Sequence, residues 1–120
     1  MKSHWVTHKG KRVFIFDCSN FGSDVAALEA EINAVAEVVT REPENSVLSV
    51  SNSSGTVGSP AVIRLLEGLM NRTSRHIKKR AVVGVSGARR FLVDMVNRVS
   101  SGKPFSTFDN LNDALDWLVE

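Results

Sequence analysis

The sequence is poor in the features that staple or export a small protein. Cysteine occurs once, at Cys18. A single thiol excludes an internal disulfide framework and a cysteine-based zinc cluster. No apolar run approaches the ~20 residues that cross a bilayer. The start, Met1-Lys2-Ser3-His4, has no apolar signal core. With neither export signal nor disulfide, a cytoplasmic address is the expectation.

Several catalytic and metal signatures are also missing. Gly55-Thr56-Val57-Gly58-Ser59-Pro60 lacks the Gly-Lys-Ser/Thr ending of a P-loop. Histidine is limited to His4, His8 and His76. His4 and His8 lie in a segment that reads as strand, where they stand about 13 Å apart, too far to share a metal. Gly84-Val85-Ser86-Gly87-Ala88 nearly matches a nucleophile elbow, but Ala88 replaces the last glycine and no histidine follows Ser86. That order excludes an α/β-hydrolase. No catalytic constellation is found, so neither an enzyme, a cofactor nor a metal is expected.

What is present fits one globular domain over residues 1–120. The chain is 42% hydrophobic and 23% charged, an ordinary folded composition. The net charge of +2 hides segregation. Residues 1–12 hold four cations and no acid, whereas residues 13–60 hold seven acids and only Arg41. Residues 61–103 hold ten cations against Glu67 and Asp94, and residues 104–120 hold four acids. This pattern predicts a polarised surface suited to an acidic protein face or a local anion. The densest run, Arg75-His76-Ile77-Lys78-Lys79-Arg80, lacks interleaved aromatics and a nucleic-acid module, which disfavours a nucleic-acid partner. It reads instead as a basic helix end followed by a solvated turn.

Strand-then-helix units repeat along the chain. Val13–Asp17 reads as a buried strand. Ser23 is the expected cap of a helix carrying Val25, Leu28, Ile32, Val35 and Val39 at helical spacing, stopped by Pro43 and Asn45. Ser46–Val50 is the next strand, and Ser59-Pro60 opens a helix fading near His76. Ala81–Val85 is the third strand, followed by a helix from Ser86. Phe105–Phe108 precedes a helix capped at Asn110, with Leu111, Ala114, Leu115 and Leu118 inward. Trp5-Val6-Thr7 is an edge strand hairpinned through Lys9-Gly10.

The expected fold is therefore α/β. It has a mostly parallel sheet of four or five strands, an antiparallel N-terminal edge strand and four helices largely on one face. The opposite face then needs a cover, supplied by a second copy of the chain or an apolar ligand.

Particular residues add a resemblance. They are Val13–Asp17 with Ser19-Asn20; Asn45-Ser46-Val47-Leu48 leading into a Ser/Gly loop; Arg80-Ala81-Val82-Val83-Gly84-Val85-Ser86-Gly87; and Phe108-Asp109-Asn110-Leu111-Asn112-Asp113-Ala114-Leu115-Asp116-Trp117-Leu118. Together, over about residues 8–119, they look like the SpoIIAA-like, STAS/SEC14-type small bacterial domains. The resemblance implies a β/α superhelix. The better-known STAS proteins are anti-sigma factor antagonists, switched by a kinase and phosphatase at a hydroxyl in an Asp-Ser-Ser-Gly-like motif. Asn52-Ser53-Ser54-Gly55 is similar, with Asn52 in place of Asp, so the resemblance implies Ser53 or Ser54 as the switch. The function so implied is a non-enzymatic regulatory module with a protein partner, such as a regulatory kinase.

The alternative is a binder of a nucleotide, small anion or lipid. Ser86, Gly87, Arg89 and Arg90 stand where a strand meets a helix, and free N–H groups with arginines suit an anion. Asp17, Asn52 and Gly55 lie on adjacent strand ends, the edge that ligands favour.

Overall fold

The computed structural model describes residues 1–84 and 104–120. Its elements are β1 (His4–His8), β2 (Lys11–Asp17), α1 (Val25–Thr40), β3 (Val47–Asn52), α2 (Pro60–Thr73), β4 (Ile77–Val83), β5 (Phe105–Thr107) and α3 (Leu111–Leu118). The strands form one sheet in the order β1-β2-β3-β4-β5. β1 pairs antiparallel with β2, and the other pairs are parallel. Lys9 and Gly10 turn the hairpin with φ of 49° and 81°. Two positive φ values match the twist of the flanking strands.

Alternation on β2 divides the core. Phe14 and Phe16 face α1 and α2, where they pack with Leu28, Ile32, Val35, Val62 and Leu69. Val13 faces the other way, with Leu48, Val50, Ala81, Leu115 and Leu118. Each fully buried side chain of this size contributes roughly 1.5–3 kcal/mol. The crossover helices α1 and α2 share one face, as expected for strands added in one direction. α3 follows the last strand, returns to no further one, and lies on the opposite face. The cover that the sequence assigns to a second copy or an apolar ligand comes in part from the chain's own end.

Local expectations are corrected in four places. Asp24, not Ser23, caps α1, accepting from Ala27 N. Leu111 is 40% exposed, although Ala114, Leu115 and Leu118 face inward. α2 ends at Thr73, and β4 begins at Ile77 rather than Ala81. The basic run is thus not helix end and turn: it is strand, and the register irregularity at Lys78 lets Ile77 and Arg80, three residues apart, both lie buried beneath the helices. The expected helix from Ser86 lies outside the described residues.

Candidate functional site

The carboxyl ends of β2, β3 and β4 converge on one edge. β2 and β3 stay in register to Asp17 and Asn52. Beyond them the two loops continue as a main-chain ladder. Cys18 N donates to Asn52 O at 3.0 Å, Asn20 N to Ser54 O at 2.7 Å and Gly22 N to Gly55 O at 2.9 Å. Val57 N returns a bond to Gly22 O at 2.8 Å. Buried Thr56 locks the pair: its hydroxyl donates to Cys18 O at 2.5 Å and accepts from Phe21 N at 3.2 Å. Ser53 N reaches Val83 O at 3.3 Å, which ties in β4. These bonds pair much of the loop backbone although Ser54, Gly55 and Val57 are exposed, so the two loops brace each other.

Asn52 shapes the tip. Its side-chain carbonyl accepts from Ser54 N at 3.1 Å, the local turn that Asn and Asp side chains both make. The substitution of Asn for Asp therefore keeps the geometry and removes the charge. Gly55 has φ 73°, and a Cβ there would meet Asn20 Oδ1 at 2.5 Å. The two candidate hydroxyls separate. Ser53 Oγ is buried away from solvent, whereas Ser54 is exposed. Val57, three residues on, is 53% exposed. Ser59 accepts from Val62 N and caps α2 with Pro60 in its first turn, as the sequence predicts.

Asp17 is engaged internally. Its Oδ1 accepts from the amide and hydroxyl of Ser19 and lies 3.7 Å from Lys2 Nζ. Burial raises its carboxyl pKa, but the Ser19 hydrogen bonds and the Lys2 charge outweigh burial and hold it below the usual value. Lys2 also donates to Ser19 O and lies over the Phe21 ring. Asp17 thus caps a turn and anchors the N-terminal segment. Cys18 is buried, its Sγ 2.9 Å from Asn52 O.

The structure brings Asp17, Asn52, Ser53, Ser54 and Gly55 to one edge. Ser86, Gly87, Arg89 and Arg90 lie outside the described residues. Gly84, the residue after β4, packs on Asn52 and Ser54. Lys2, Ser19, Asn20 and Thr56 are members of the edge that sequence reasoning missed. Lys2 and Thr56 meet residues 15 to 38 positions away, and the Ser19 and Asn20 contacts are loop geometry, so periodicity carries no signal for any of them.

No family model matches the sequence. No curated protein matches it. Among the solved structures that match is an uncharacterised protein of the DUF3478 family with a SpoIIAA-like fold, from Shewanella loihica PV-4. It is 16% identical, with a TM-score of 0.66, over 97% of this chain and 91% of that one. At that identity the likeness concerns the backbone arrangement. The strand order, the hairpinned edge strand and this match together make the chain a SpoIIAA-like domain in fold.

Proposed function

We propose that the domain is a non-enzymatic regulatory module that binds a protein partner through the edge formed by Asn52–Gly58, with Ser54 as its switch. The observation that carries this reading is exposed Ser54 on a hydrogen-bonded frame, with exposed Val57 three residues on. A phosphoryl group there adds a charge of about −1.5 to −2 and three acceptor oxygens. That charge arrives beside an apolar contact residue, so it weakens a partner that buries Val57. The main-chain bonds across the two loops brace the unmodified surface, which lowers the entropic cost of docking. Ser53 serves the frame, since its hydroxyl is inside.

The test combines modification and affinity. Phosphopeptide mapping of the native protein should find Ser54 rather than Ser53 modified. A partner recovered on the wild-type chain should bind Ser54→Ala comparably and Ser54→Asp at least roughly tenfold more weakly, the equivalent of about 1.4 kcal/mol. An unmodified Ser54, together with equal affinity for both variants, overturns the switch. A partner unaffected by Val57→Asp overturns the edge itself.

A further inference from the structure

The opposite end of the sheet holds a groove of about 520 Å³, where β2, β3 and β4 begin. Its size falls in the range of small-molecule sites, about 300–1,000 Å³. Lys11, Arg12, Lys78 and Lys79 line it together with Leu48 and Leu118. The hairpin and β4 are distant in sequence, so register, not composition, gathers these cations.

The four cations face the carboxylates of Glu42 and Glu120. Glu42 is committed to Arg12, at 3.2 Å. The other contacts fix the cations without neutralising them. Arg12 lies over the Trp5 ring at 4.0 Å, and Lys79 over the Trp117 ring at 4.7 Å. Lys79 Nζ donates to Trp117 O at 2.8 Å, and Lys11 Nζ to Val119 O at 3.0 Å. Both carbonyls belong to the C-terminal end of α3. Lys78 is exposed and has no ion pair or hydrogen bond among the described residues. It sits at an irregularity, because Val47 pairs with Ile77 while Leu48 pairs with Lys79. A bulge of this kind re-aims a side chain.

We propose that this groove binds a small phosphomonoester with a compact apolar body. With Glu42 committed to Arg12, three ammonium groups stand against Glu120, an excess that calls for more than one negative charge, and lysine meets phosphate as a point charge. Leu48 and Leu118 offer the apolar body a dry floor, being 7% and 1% exposed. Trp5 is the aromatic side chain in the groove lining, and Arg12 already lies over its ring, which disfavours stacking of single-stranded nucleic-acid bases. The groove lies at the other end of the strands from Ser54, so this site stands or falls independently of the switch.

Titration of the full chain with phenyl phosphate, inorganic phosphate and benzyl alcohol, followed by amide NMR, tests it. Phenyl phosphate should saturably shift residues 11–12, 46–48 and 78–79, inorganic phosphate should act there more weakly, and benzyl alcohol should do nothing. Lys78→Ala should weaken phenyl phosphate roughly tenfold, and Lys11→Ala with Lys78→Ala should abolish binding while circular dichroism stays unchanged. No saturable shift up to about 5 mM, near the limit of meaningful affinity, overturns the proposal. So do shifts confined to residues 52–58, or binding indifferent to the double variant. An RNA oligonucleotide binding the same residues more tightly replaces the ligand class with nucleic acid. Binding to phosphatidate vesicles without binding of free phenyl phosphate replaces it with a lipid surface.

Discussion

Gly84 and Gly10 have nearly the same backbone, with φ of 78° and 81°, and very different surroundings. A Cβ at Gly10 meets nothing within 4 Å. At Gly84 it would overlap Ser54 Oγ and stand 2.8 Å from Asn52 Oδ1 and 2.9 Å from Ser54 N. Gly10→Ala should therefore cost only the left-handed strain, about 1 kcal/mol. Gly84→Ala should cost about 2–3 kcal/mol in urea unfolding, strain plus overpacking. It should also shift the amides of residues 52–55. Equal costs would mean that the loop edge yields freely. Arg80 poses a different question. It is 4% exposed, donates to Met70 O and Thr73 Oγ1 at 3.0 Å, and faces no acid among the described residues. Burial pushes its pKa down to about 10, so it stays charged at neutral pH. Thr73 Oγ1 already bonds Leu69 O. Arg80→Met should then be tolerated within about 1 kcal/mol, because it removes a buried charge and keeps volume. Arg80→Ala should cost about 2–4 kcal/mol through the cavity it leaves.

The N-terminal segment and α1 are joined by one carboxylate. Glu31 is buried in α1 and accepts from Lys2 N, Ser3 N and Ser3 Oγ at 3.2, 2.9 and 2.6 Å. Ser3 Oγ in turn accepts from Asp17 N at 3.0 Å. Burial raises the Glu31 pKa, but the Ser3 and Lys2 hydrogen bonds and the N-terminal charge lower it further, to a net position below the usual value. A lowered folded pKa gives stability that is full above the unfolded value, about 4.3, and is lost as pH falls through the folded one. Glu31→Gln should cost about 1–2 kcal/mol at pH 7. The two proteins should converge near pH 2, and a gap of constant size down to that pH would deny the carboxylate this role. The sequence marks α1 plainly, since Leu28, Ile32, Val35 and Val39 keep helical spacing. It does not mark Glu31, an acid whose partners are 28 and 29 residues away. The same limit explains β4. Ile77-Lys78-Lys79-Arg80 looks solvated until α2 is placed over Arg80. At the loop edge Asn52, Ser53, Ser54 and Gly55 are singled out in the sequence by the motif resemblance and their place at the strand ends, whereas Thr56 and Lys2 enter only through long-range contacts.

Charge that is segregated along the chain is partly mixed in space. Arg12 meets Glu42, Arg75 lies 3.8 Å from Glu44, and Lys9 lies 3.0 Å from Asp116. Among the described residues, the cations that stay clustered are those of the groove at one end of the strands. His8 Nε2 and Lys9 both reach Asp116 Oδ1, so the hairpin also holds α3 across the sheet. Hydrogen bonds from His8 and Lys9 lower the Asp116 pKa. This joins the two halves of the core, which share the same strands. Each half has its own reporter. Trp5 packs on Phe14 at 5.0 Å on the α1 side, and Trp117 on Phe108 at 5.3 Å on the α3 side. Trp5→Phe and Trp117→Phe each leave one indole to watch one face. Because β2, β3 and β4 contribute side chains to both clusters, neither face can lose its packing alone. Urea unfolding followed by either indole should give a midpoint matching that variant's far-ultraviolet circular dichroism, the signature of two-state behaviour. Leu118→Ala should lower both midpoints together, by about 2–5 kcal/mol of stability, since Leu118 is 1% exposed. An early transition seen only by Trp117 would instead make α3 a separately undocking element, and the face that it covers an opening surface.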